Sequence, residues 1–288
     1  MALPSSIPSI VDPEQLLAWL SLPGLRILDA SWYLPQSGRD AAAEYRLGHL
    51  PGAVFFDLDA SSDPLSALPH TVPTERQFST RMGALGISDD DLVVVYDGSG
   101  ANVSAGRAWW MLRAFGYERV GVLDGGIRRW QALGFPIEAG EVKPPPGNFH
   151  ARLNRGVLRT LDAMREVVAS GAVQIVDARS QGRFEGTAAE PRPGLRGGHL
   201  PGSRNVPYQE LVTAEGRLLP TGELRRRFGA AGVDLGRPII LSCGSGVSAC
   251  ALALALDRLG AESVSLYDGS WSEWGALPDV PVETGPAK

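Results

Sequence analysis

The stretch "IILSCGSGVSACALALALDRLG", residues 239–260, reads in turn as strand, loop and helix, and it holds both cysteines of the chain. A β-branched apolar run ends at Cys243. A Gly-Ser-Gly turn follows, then an Ala/Leu segment apolar nearly all round, which marks a buried helix. Gly244 and Gly246 permit backbone conformations that other residues avoid, so successive amides can point into the loop. Such a loop at a helix N-terminus is a cradle for an anion. A thiolate at Cys243 would be stabilised by those N–H groups and by the helix dipole, which makes Cys243 a candidate nucleophile. The alternative, on local features, is a small buried packing residue. Cys250, placed roughly two turns into the helix, reads as packing.

The chain repeats itself around this stretch. "ILDASWYL" (27–34) matches "IVDARSQG" (175–182), and "YRLGHLPGAVFFDLD" (45–59) matches "GLRGGHLPGSRNVPY" (194–208). "GALGISDDDLVVVYDGSG" (83–100) matches "GAAGVDLGRPIILSCGSG" (229–246), and "VLDGGIRRW" (122–130) matches "LYDGSWSEW" (266–274). The blocks keep their order at offsets of 148, 150, 146 and 144 positions, so the chain is a tandem duplication rather than a short-period solenoid. Domains are expected at 1–140 and 157–288. Between them, at 141–156, three consecutive prolines in "EVKPPPGNFHARL" (141–153) read as an extended, stiff linker. At the position of Cys243 the first half carries Asp97, so one copy of the loop has lost its nucleophile and Asp97 reads as a loop anchor.

Strands are expected at 26–29, 92–96, 120–123, 173–176, 238–242 and 263–267. Helices are expected at 13–20, 74–85, 104–115, 126–132, 160–169, 221–230, 247–259 and 271–275. Alternating strands and helices predict an α/β fold in which each half is a parallel sheet with helices on both faces. Ligands of such sheets bind beyond the carboxyl ends of the strands, where Cys243 stands.

Composition narrows the function. The 288 residues are 44% hydrophobic and 20% charged, with a formal charge of −5, an ordinary globular balance without the basic excess of a nucleic-acid binder. No apolar run reaches the ~20 residues of a membrane span. The N-terminal stretch lacks a basic region followed by a long apolar core, so no secretory signal is expected. The expected compartment is the cytoplasm, with both thiols reduced. "DGSGANVSAGR" (97–107) fits neither dinucleotide nor P-loop spacing and reads as the degenerate copy of the cysteine loop. Trp109, Trp110, Trp130, Trp271 and Trp274 fall in repeat-related blocks and are expected in the core.

The duplicated α/β unit with a single cysteine loop, "GHLPG" in both halves and "DGSWSEW" near the end together resemble the two-domain rhodanese family, over nearly the whole chain. Within it, "CGSGVSA" (243–249) is similar to the CGSGVTA loop of 3-mercaptopyruvate sulfurtransferases, with Ser248 where Thr is usual. Thiosulfate sulfurtransferases carry basic residues in that loop, whereas Gly244, Ser245, Gly246, Val247 and Ser248 are neutral. "LDASWYLPQSGRDAAAEY" (28–45) and "FFDLDASSD" (55–63) resemble the same group.

The resemblance implies further site residues. Arg183 and Arg192, in "QGRFEGTAAEPRPG" (181–194), match the arginines that hold the donor's carboxylate and keto oxygen, a task suited to planar guanidinium groups. From spacing alone both would read as surface loop arginines. Ser245, His70 in "SALPHTVP" (66–73) and Asp59 match a Ser–His–Asp set. Of the four histidines, His49 and His199 sit in the paired "GHLPG" turns and read as structural, and His150 in the linker reads as solvated.

The implied reaction passes sulfur from 3-mercaptopyruvate to a Cys243 persulfide and then to thioredoxin, a small thiol or cyanide, with no metal or organic cofactor. Rival readings are thiosulfate:cyanide sulfur transfer, a Cdc25-like phosphatase or arsenate reductase, and a non-catalytic sulfur-binding module. The phosphatase reading lacks its oxyanion clamp, because Ala249, Cys250 and Ala251 stand where an arginine is needed.

Overall fold

In the computed structural model, which describes residue 4 and residues 6–287, two five-stranded sheets share one plan. The first holds β1 (Ile10–Val11), β2 (Leu25–Asp29), β3 (Val54–Phe55), β4 (Leu92–Tyr96) and β5 (Val120–Leu123), in the order β1-β5-β4-β2-β3. The second holds β6 (Leu158–Arg159), β7 (Gln174–Asp177), β8 (Arg204–Asn205), β9 (Ile239–Ser242) and β10 (Val264–Tyr267), in the order β6-β10-β9-β7-β8. Every pairing is parallel. The middle strands β4 and β9 are buried along their whole length, which explains their nearly continuous apolar sequence. Asp97 follows the first of these strands and Cys243 the second.

Helices cover both faces of each sheet. The first half has α1 (Pro13–Trp19), α2 (Ala41–Leu47), α3 (Glu75–Ala84), α4 (Val103–Ala114) and α5 (Gly126–Ala132). The second has α6 (Leu161–Ser170), α7 (Gln181–Glu185), α8 (Thr221–Ala230), α9 (Ala249–Arg258) and α10 (Ser270–Trp274). Local chemistry sets several ends. Thr74 and Gln77 form a reciprocal capping box at α3, and α6 runs from the Thr160 cap to Gly171 in the left-handed conformation.

The edge strands β1, β3, β6 and β8 and the short helices α2 and α7 were not expected from the sequence. Two residues carry no readable period, and these strands exist because a longer neighbour pairs with them. Helix α9 starts at Ala249, so Cys250 lies in its first turn rather than two turns in. There its thiol donates to the Gly246 carbonyl at 3.2 Å.

The chain divides into two compact units. One comprises residues 1–64, 72–154 and 214–218; the other comprises 65–71, 155–213 and 219–288. Each unit thus contains a short segment from the opposite half of the sequence. In the first unit, Leu218 N–H and Arg217 Nε donate to the Asp124 carboxylate at 2.8 and 3.1 Å. The proline-rich segment runs along the first unit, with Gly147, Arg152 and Asn154 amides donating to the carbonyls of Gly83, Phe115 and Ala114. Among the described residues no helix is long and apolar enough to cross a membrane.

Each unit has its own core, and the tryptophans anchor both. Trp130 and Trp274 are fully buried in their respective cores. Each indole donates 2.8 Å to a nearby carbonyl, Pro136 or Pro281, so burial leaves no polar atom stranded. Trp274→Ala should cost roughly 3–5 kcal/mol, the range for deleting a large buried aromatic. Chemical denaturation, read as a lowered midpoint, checks this.

Candidate active site

The cysteine loop is held from one side by the start of α10. Trp271 N–H donates to the Cys243 carbonyl at 3.0 Å, and Ser272 N–H and Oγ donate to the Gly244 carbonyl at 2.8 and 2.6 Å. The Ser270 hydroxyl accepts from Cys243 N–H at 3.2 Å and donates to the Tyr267 carbonyl at 2.7 Å. Ser270 takes a left-handed φ of 49°, where the first half has Gly126 at 56°. This gives the repeated "DGS"/"DGG" block a role: its turn leads into the residues that bond the Cys243 and Gly244 carbonyls. Gly246, at φ 75°, closes the turn into α9. Among the described residues, the amides of Gly244, Ser245, Val247 and Ser248 donate to no backbone carbonyl or side chain. They remain available to an anion at Cys243, which is buried at 1% exposure.

The degenerate loop shows what fills such a cradle. Asp97 accepts from Ser99 N–H (2.9 Å), Ser99 Oγ (2.6 Å), Ala105 N–H (2.9 Å) and Ser104 Oγ (3.3 Å). The carboxylate is the anion its own loop binds, so Asp97 is the anchor expected. Ser104 occupies the repeat position of Cys250.

Both predicted arginines reach the cysteine loop. A methyl group built on Gly244 would lie 2.9 Å from Arg183 Nη2 and 4.0 Å from Arg192 Nη1. The missing side chain at Gly244 therefore lets two guanidinium groups approach the residue next to Cys243. Arg183 stands in the last turn of α7 and is 22% exposed. Beneath it lies a buried charge network. Glu190 accepts from Arg183 Nη2 at 2.5 Å and from Arg179 Nη1 at 2.7 Å. Arg179 and Asp177, both fully buried at the end of β7, pair at 2.6 Å. Burial alone would lower the Arg179 guanidinium, but the neighbouring Asp177 and Glu190 outweigh it and hold the group above its usual value. Arg179 also lies over the Trp271 ring at 4.4 Å. In the first half Ser31 replaces Arg179, and burial pushes the Asp29 carboxyl up.

His70 and Ser245 meet within the second unit. His70 Nδ1 lies 3.1 Å from Ser245 Oγ, and both residues are buried. With Nδ1 unprotonated, the hydroxyl donates to it. His70 holds a left-handed φ of 61°, a strained conformation for a residue with a β-carbon and one that clusters at functional positions. Asp59 belongs to the first unit, where it accepts from the Trp32 indole at 3.0 Å. The other histidines are structural. His49 and His199 bond through Nδ1 to the Tyr45 and Phe184 carbonyls and stack on the same side chains. His150 is exposed and pairs with Asp89 at 2.6 Å.

Sequence reasoning missed Arg179, Glu190, Ser270 and Ser272. Two of these had a signal. Arg179 is a charge at the end of an apolar strand where the repeat has Ser31. Ser270 puts a hydroxyl at a position where the repeat has Gly126.

The family model described as Rhodanese-like domain matches residues 12–133 and again 160–277. The chain is 48% identical over 275 residues to the 3-mercaptopyruvate sulfurtransferase of Escherichia coli strain K12, covering 95% of this chain and 97% of that protein. It is 43% identical over 297 residues to the mitochondrial thiosulfate/3-mercaptopyruvate sulfurtransferase 1 of Arabidopsis thaliana, covering 96% of this chain and 78% of that protein. The crystal structure of SseA from Escherichia coli, a 3-mercaptopyruvate sulfotransferase of rhodanese fold, superposes with a TM-score of 0.84 at 42% identity, covering 93% of this chain and all of that one.

Proposed function

The chain belongs to the rhodanese-like family, and from that membership we propose how its residues divide the reaction. Its activity is sulfur transfer from 3-mercaptopyruvate to an acceptor, with release of pyruvate. The donor's carboxylate and keto group lie against Arg183 and Arg192. The Cys243 thiolate attacks the donor sulfur, and an S–S bond forms as the C–S bond breaks. The electron pair of the broken bond becomes the enolate of pyruvate, whose oxygen the guanidinium groups stabilise.

The proton left on the outer sulfur then moves to the enolate carbon, giving pyruvate and the Cys243 persulfide anion. Ser245 and His70 carry that proton. The loop amides from Gly244 to Ser248 hold the persulfide. An acceptor, either a thiol (thioredoxin or a small thiol) or cyanide, takes the outer sulfur and restores the thiolate in a ping-pong cycle. These steps balance without a metal or organic cofactor. We also propose a cytoplasmic location, in keeping with two cysteines that form no disulfide.

The observation that carries this reading is the approach of both arginines to Gly244, beside a buried cysteine whose loop amides at Gly244, Ser245, Val247 and Ser248 are unengaged among the described residues. The second reading, thiosulfate as the main donor, shares every residue except the basis for donor choice. The loop residues 244–248 bring no cation to meet a second negative charge. The kcat/KM for 3-mercaptopyruvate should exceed that for thiosulfate by about a hundredfold or more, with cyanide as the common acceptor. A preference for thiosulfate would withdraw the roles given to Arg183 and Arg192.

A further inference from the structure

Arg183 reaches the donor site with its charge already answered. Glu190 accepts from its Nε at 3.2 Å through each carboxylate oxygen and from its Nη2 at 2.5 Å. Glu190 is 2% exposed, so water screens it little. Its second partner, Arg179, is in turn spent on Asp177 through contacts of 2.6–3.1 Å. The chain Asp177–Arg179–Glu190–Arg183 alternates in sign, and each positive charge in it is matched by a negative one.

This arrangement separates two things that a guanidinium offers. Arg183 Nη2, the nitrogen nearest Gly244, carries a second N–H besides the one given to Glu190. The long-range attraction of a full positive charge is offset by a buried carboxylate bonded to the same group. A donor recognised by hydrogen bonds, such as a keto acid with one negative charge, keeps its contacts. A doubly charged donor, which depends more on net attraction, gains little from a guanidinium whose charge a bonded carboxylate offsets.

We infer that Glu190 is a specificity-determining residue: its buried carboxylate, acting through Arg183, sets the site for singly charged keto-thiol donors against doubly charged inorganic ones. Glu190 is a positioning residue, since it acts through Arg183 rather than on the donor. The inference rests on the donor-binding role proposed for Arg183. It adds a determinant of donor choice outside the cysteine loop.

The test is the ratio of kcat/KM for thiosulfate to that for 3-mercaptopyruvate in Glu190→Gln and Glu190→Asp, with cyanide as acceptor. Glu190→Gln removes the charge while keeping a similar shape, and should raise the ratio by about tenfold or more, the effect of one charge at short range in a partly buried site. Glu190→Asp keeps the charge, and should leave the ratio within about twofold of the parent even if both activities fall. A merely structural role moves both donors together. A parallel fall in Glu190→Gln, or an equal shift in Glu190→Asp, overturns the inference.

If Glu190→Gln does not fold, the salt dependence of the parent protein decides. The ratio should hold steady as ionic strength rises. A ratio that falls steeply with salt, as attraction of a dianion to an unanswered cation requires, overturns it. Failure of the underlying reading shows itself separately: Arg183→Met would then turn over 3-mercaptopyruvate like the parent, whatever Glu190→Gln does.

Discussion

Cys243→Ser should abolish sulfur transfer, with kcat/KM for 3-mercaptopyruvate falling at least about ten-thousandfold, the scale seen when a covalent nucleophile is removed. The hydroxyl is a weak nucleophile near neutral pH, and no sulfur–sulfur bond can form on oxygen. The fold should survive the change. Serine is close in size, and the bonds that hold this residue run through its backbone, to the Ser270 hydroxyl and from the Trp271 amide. Steady-state rates beside a thermal melt check both halves of the expectation. An unchanged melt with residual rates near those of the parent would move the sulfur to some other group. Cys250 is a poor substitute, since its thiol is fully buried in the first turn of α9 and points to the Gly246 carbonyl.

The second large effect falls on the arginines. Arg183→Met should lower kcat/KM for 3-mercaptopyruvate by about a hundredfold to a thousandfold, the loss of one or two charge-assisted hydrogen bonds. Arg192→Met should act in the same direction. If the guanidinium groups meet the enolate as it forms, kcat falls along with any rise in KM; if they only bind the donor, KM alone rises. Arg183→Lys keeps the charge but loses the planar fork that bonds Glu190 and the donor together, so it should recover little. Arg183→Met leaves Glu190 paired with Arg179 at 2.7 Å, so the carboxylate is not stranded and the protein should still fold. A melt on the same sample separates lost binding from lost structure.

Much of the architecture could be read from the chain because it is written twice. Each long strand and helix falls in a block that recurs, and β4 and β9 carry apolar runs that only a central parallel strand explains. The cysteine loop was legible for a similar reason: thiol, glycines and a following apolar helix form one local pattern. Asp97 stood out against that pattern, and its four hydrogen bonds show why the loop tolerates a carboxylate there.

What was illegible is non-local. Arg183 and Arg192 drew attention through the family resemblance, because nothing in their spacing shows that Gly244 lies beneath them. Glu190 is bonded to Arg179 and Arg183 across a loop with no period, so its burial cannot be inferred from its neighbours in sequence. The placement of residues 65–71 in the second unit, which brings His70 to Ser245, has the same cause: a proline-flanked loop carries no sign of where it packs.

The proposed reaction puts the transferred sulfur on Cys243. It is tested most directly by adding 3-mercaptopyruvate to the protein without an acceptor and measuring two things together, pyruvate released and the mass of the peptide containing Cys243. One pyruvate per chain and one added sulfur atom on Cys243 are expected, the sulfur removed by cyanide with recovery of the free thiol. Pyruvate released with no sulfur on Cys243, or sulfur found on Cys250 instead, would contradict it.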